Sequence, residues 1–171
     1  MKSITTLCAL FISLLAAATT KAEPLPYALG LFESGADSFQ RSSADYKRGN
    51  SGEVSRYQIM PAVWKQFSSS RDYHDPAVAW RVAEKILTAR VNDFRQRTRR
   101  APNAAELYLL WNKPGHFSAA KYTMNRVNRG YQARAQRFAN LFQAVQVAYR
   151  ERDLVLPQQV ALAATSSNTE G

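Results

Sequence analysis

Cysteine is nearly missing from this chain. The one residue of that type, Cys8, lies close to the N-terminus. Everything after it is therefore without a disulfide, a thiol nucleophile or a thiolate metal site. Small exported domains often lean on disulfides, so this one must rely on its core. Acid is also scarce, with 13 Asp and Glu against 23 Lys and Arg. The seven glycines never fall into a phosphate-binding pattern. Gly49-Asn50-Ser51-Gly52 does not make a nucleophile elbow. The two histidines, His74 and His116, are far apart, and no His/Asp/Glu group has metal-ligand spacing. Neither a cofactor nor a metal is expected. No internal repeat is present, and strand signals are minimal.

What is present begins with an apolar leader. Met1-Lys2 is a short positive start, Ile4 to Ala18 is mostly apolar, and Thr20-Lys21-Ala22 ends on a small residue. That layout predicts a secretory signal peptide over 1–22. Its apolar part is shorter than the ~20 residues of a membrane-spanning helix. Leu7 before Cys8 lacks the small residue of a lipoprotein site. The expected location is the periplasm or cell envelope, or the medium outside, with no transmembrane helix left after cleavage. Lys2 and Lys21 fall in the leader, so 21 basic residues face 13 acidic ones in the mature chain, a net +8. Such a balance suits an anionic polymer: cell wall, acidic lipid or nucleic acid. A merely solvated surface accounts for it equally.

About 149 residues remain, enough for one domain with a buried core. The expected division is a catalytic domain over 23–152 and a disordered tail over 153–171. A helix is predicted from about Pro26 to Ser34, ended by Gly35. Residues 36–56 are polar and read as a long loop or a small hairpin, a length that is usually functional or disordered. Pro61 opens a short helix. Asp75-Pro76 caps a long one over 76–98, whose basic end suits the negative pole of the helix. Asn103 and Glu106 make a capping box for the next helix, with Leu107, Leu110 and Trp111 as its buried stripe and Pro114-Gly115 as its stop. A last helix is predicted over 132–150, facing inward with Phe138, Leu141, Phe142, Val145 and Tyr149. The fold class is mainly α.

Carboxylates remain as the chemical lead. Breaking a glycosidic bond needs a carboxyl that stays protonated near neutral pH, and an apolar surround keeps it so. Glu33 follows Tyr27, Ala28, Leu29, Leu31 and Phe32 and precedes the polar loop, where a cleft can open. By itself this is also what a solvated acid at a helix end looks like.

The neighbouring motifs add weight. Leu29-Gly30-Leu31-Phe32-Glu33-Ser34-Gly35 resembles the Glu-Ser motif of the soluble lytic transglycosylase-like domain in the lysozyme superfamily. Gly52-Glu53-Val54-Ser55-Arg56-Tyr57-Gln58-Ile59-Met60-Pro61, with Trp64 after it, is similar to that family's second motif. Leu107 to Gly115, with Trp111-Asn112 at its centre, is similar to the third, and Gly130-Tyr131 to the tyrosine before the closing helix. The four occur in the family's order over residues 27–145. The resemblance implies a lysozyme-like single domain that cuts peptidoglycan strands. It makes Glu33 the general acid and then base. Ser34 would lie near it or the substrate, Gln58 and Asn112 would contact the sugar, and Tyr131 would sit close to Glu33.

Three departures stand out. Ser55 replaces a glycine, Arg56-Tyr57 replaces Leu-Met, which predicts a more basic cleft floor, and Trp111 with Lys113-Pro114 alters the third motif. With one carboxylate the implied reaction is non-hydrolytic and ends in a 1,6-anhydro sugar. Hydrolysis with inversion would need a second carboxylate, for which Asp45 and Glu53 are the candidates. A non-catalytic glycan- or wall-binding module is the other reading. Nucleic-acid binding through Arg95, Arg97, Arg99 and Arg100 is disfavoured by the leader. A monomer is expected.

Overall fold

The computed structural model describes residues 24–166, and side chains as far as Arg152. The leader over 1–22 and residues 167–171 lie outside the described residues. The described part is mainly helical, and no strand occurs in it. Six α-helices follow one another: α1 Pro24–Ser34, α2 Pro61–Phe67, α3 Pro76–Thr98, α4 Ala104–Asn112, α5 Pro114–Ala119 and α6 Arg129–Ser166. No described helix is long and apolar enough to cross a membrane.

The helix ends follow local chemistry. Gly35 closes α1 with φ at +80°, a left-handed conformation that glycine adopts without a Cβ clash. Asp75 accepts from the Val78 N–H at 2.7 Å and caps α3. Asn103 accepts from the Glu106 N–H while the Glu106 carboxylate accepts from the Asn103 N–H, both at 2.9 Å. The box therefore closes as its spacing requires.

Three expectations change. Pro114-Gly115 does not simply stop α4, because Pro114 opens α5, where a proline at the first position loses no hydrogen bond. α6 begins at Arg129 and runs on to Ser166, past the predicted end at 150. α4 is buried nearly all round, with Ala105, Glu106, Tyr108, Leu109, Leu110 and Trp111 all enclosed. A helix sealed on every side shows no narrow apolar stripe in its sequence.

That burial makes α4 the centre of the domain. It packs on α6 and α3, and α1 packs on α6. Phe94, Phe117, Phe138, Ile86 and Leu109 fill the space between them. The loop after α1 is neither a regular hairpin nor loose. Val54 and Ile59 exchange both backbone hydrogen bonds at 2.9 Å, a single antiparallel bridge. A 3₁₀ turn over Ser43–Tyr46 precedes it.

Candidate active site

Glu33 is the penultimate residue of α1, and two other helices reach it. The Tyr108 hydroxyl on α4 donates to Glu33 Oε1 at 2.8 Å. Arg134 on α6 brings Nη2 to 3.3 Å from Glu33 Oε2. Arg134 Nε also donates to the Tyr108 oxygen at 2.6 Å, which closes a triangle. Packing sets the triangle in place. Phe32 meets the rings of Tyr108 and Phe138 edge-on, and those two rings stack on each other. The Arg134 guanidinium lies over Phe32 and Tyr108.

The Glu33 side chain is 5% exposed. Burial pushes its carboxyl above the ordinary value. The Tyr108 hydrogen bond and the Arg134 charge pull the other way without cancelling that push, and Glu53 adds to it slightly. Burial and the neighbouring Glu33 also raise the Tyr108 hydroxyl, so it stays a donor.

Two of the residues expected here lie one helical turn from this triangle. Asn112 follows Tyr108 by four residues on α4, and Tyr131 precedes Arg134 by three on α6, spacings that share a helix face. The tyrosine that hydrogen-bonds Glu33 among the described residues is Tyr108. The Tyr131 ring meets His116 edge-on and carries the Lys113 ammonium 5.3 Å above it.

The remaining expected residues serve the loop. Ser34 is buried, and its hydroxyl donates back to the Gly30 carbonyl at 3.0 Å inside α1. Its own carbonyl accepts from Lys47 Nζ at 3.1 Å, a cation at the negative end of the helix. Gln58 has φ at +51° and spends its amide donors on the Lys47 and Ser55 carbonyls. Only its oxygen is left to face outward ligands. Gly49 lies beside it, and a side chain there would push the ends of the Gln58 and Glu53 side chains aside.

The second-carboxylate candidates separate. Asp45 is fully buried and gripped by Arg56 at 2.6 and 2.7 Å, with the Ser42 N–H at 2.8 Å. Burial pushes its carboxyl up, but these donors outweigh it and leave it below the ordinary range. It can neither reach nor activate a water in a cleft. Glu53 is half-buried, accepts from the Ser51 N–H at 3.0 Å, and is near enough to raise Glu33. The more basic cleft floor expected from Arg56 is also overturned. Arg56 points inward, is 2% exposed, and satisfies the Ser38 and Gln40 carbonyls besides Asp45. Fixing a polar loop needs a donor with several arms, which guanidinium provides.

Tyr108 and Arg134 were not singled out from the sequence. Tyr108 sits among leucines and reads as core, and Arg134 reads as a solvated helix charge. The available signal was their spacing from Asn112 and Tyr131. Arg90 is a third unforeseen residue. It is largely buried, donates to the Leu110 and Trp111 carbonyls at 2.9 and 2.6 Å, and is lowered by burial to about 10. It holds the end of α4 from which Asn112 projects.

No protein-family profile, no curated protein and no solved structure matches this chain.

Proposed function

We propose that this protein cleaves the β-1,4 bond between N-acetylmuramic acid and N-acetylglucosamine in peptidoglycan, as an exported lytic transglycosylase of lysozyme-like type. The observation that carries the reading is the contrast among three enclosed carboxyls. Asp45 and Glu106 are held below their ordinary range by arginine and backbone N–H donors, whereas Glu33 is raised. A raised carboxyl keeps its proton at a pH where others have lost theirs, which a general acid requires. The order of the four motifs and the mainly α architecture support the same reading.

In this reaction Glu33 protonates the bridging oxygen as the C1–O bond breaks. The N-acetyl group stabilises the cationic sugar. The Glu33 carboxylate is then received by the Tyr108 hydroxyl and the Arg134 guanidinium. It takes the proton from the sugar's own 6-hydroxyl as that oxygen bonds to C1. The products are a 1,6-anhydro end and a free hydroxyl, and Glu33 is protonated again. No water is consumed.

Glu53 keeps hydrolysis with inversion as a second reading, because its charge acts on Glu33. Digestion of purified peptidoglycan followed by mass spectrometry separates the outcomes. Anhydro-muropeptides support lytic cleavage, and reducing ends alone point to hydrolysis by way of Glu53. Tight binding with no product in wild type leaves a wall-binding module.

A further inference from the structure

We infer that the lip formed by Lys113, His116, Arg129 and Tyr131 is a subsite for the carboxylate groups of an anionic glycan. The inference rests on the glycan-cleaving reading and specifies its substrate. Between Glu106 and Glu151 the chain carries no acidic residue, yet it holds Lys113, Lys121, Arg126, Arg129, Arg134, Arg137 and Arg150. Arg134 is occupied by Glu33 and Tyr108. Lys113, Lys121, Arg126 and Arg129 are exposed, and none of them forms an ion pair among the described residues. The Arg95–Arg100 end of α3 differs, because Asp93 holds Arg97 and Glu106 holds Arg100.

Three contacts organise the lip. Lys113 lies over the Tyr131 ring, and His116 meets its edge. The Asn128 N–H donates to His116 Nε2 at 3.3 Å, which ties α5 to the start of α6. The result is a partly buried aromatic ring with an ammonium over one face. Tyr131 shares its helix face with Arg134, one turn from the residue that reaches Glu33.

The placement also runs against helix electrostatics. α6 starts on Arg129 with no acid in its first turn, so cations gather at the positive end of its dipole. An anion bound there would relieve that unfavourable placement. A glycan fits better than nucleic acid or lipid because the lip centres on one aromatic ring, one helical turn from Arg134 of the Glu33 triangle.

The test uses Glu33→Gln protein, so that no strand is cut. Its affinity is measured for a wall glycan with free carboxylates, for the same glycan after amidation, and for a neutral N-acetylglucosamine oligomer. The carboxylate form should bind more tightly than the amidated one at low salt, with the margin closing as salt rises. Lys113→Gln and Arg129→Gln should each reduce that margin about two- to fivefold and leave the neutral oligomer unaffected. Thermal melts equal to the parent show that both variants fold. Equal affinity for free and amidated glycan overturns the inference, as does an equal loss for neutral and acidic ligands in the variants. Tighter binding of duplex DNA or anionic vesicles through the same residues also overturns it. Full activity in Glu33→Gln would sink the cleavage reading alone, because the carboxylate margin is read without turnover.

Discussion

Of the carboxyls enclosed beside an arginine among the described residues, Asp45 and Glu33 behave oppositely. Asp45 receives two short bonds from Arg56 and a third from the Ser42 N–H. Glu33 receives one from Tyr108 and a longer one from Arg134 at 3.3 Å, and Arg134 divides its attention with the tyrosine oxygen. Arg56 is sealed from water, whereas the Arg134 side chain is 40% exposed and screened. Full pairing offsets the loss of hydration at Asp45. Partial pairing does not offset it at Glu33. An enclosed carboxylate–arginine contact is therefore a structural clamp or a poised acid according to how many donors it is given.

Breaking each site should expose that difference. The largest effect is expected from Glu33→Gln, with kcat on peptidoglycan falling about 10²- to 10⁴-fold while the melting temperature stays close to wild type. Next comes Asp45→Asn, which strands the Arg56 charge in the interior and should cost about 3–5 kcal/mol of stability, read by urea unfolding. A fully stable Asp45→Asn protein would mean that the pair does not hold the loop.

Tyr108→Phe should cost about 1 kcal/mol and also change the chemistry. The lost hydrogen bond had pulled Glu33 down, so its carboxyl rises further. The alkaline limb of the pH–rate profile should then move to higher pH.

The two sites also give opposite pH signs. Asp45 and Glu106 are depressed, so their stabilisation is present above the ordinary carboxylate pKa and is lost as pH falls through their lowered values. Glu33 is raised, so its contribution is present below the ordinary value and is lost as pH rises through its raised one. Unfolding free energies of wild type and Glu33→Gln against pH should diverge in that sense, with wild type gaining on the acid side. The smallest effect is expected from Glu53→Gln. It removes a weak upward push on Glu33, so the alkaline limb should shift slightly down with turnover retained. Complete loss of turnover would instead favour hydrolysis with Glu53 as the base.

Helix boundaries were legible wherever a side chain acts on its own backbone. Asp75, Asn103 with Glu106, Gly35 and Pro61 all mark ends that the structure keeps, because caps and glycine conformations depend on a few adjacent residues. In the loop, Arg56 read as a polar surface residue because nothing nearby reveals that Asp45, eleven positions away, turns it inward.

The sequence by itself determined a mainly α chain, a basic balance concentrated after Glu106, and Glu33 as the acid to consider. Only the tertiary structure decided which carboxyl is poised and which is clamped. Tyr108 and Arg134 lie 75 and 101 residues from Glu33, and Arg56 meets Asp45 across a folded loop. A carboxyl's proton affinity is set by the water it loses and the donors it gains, and both come from elements that only packing brings together.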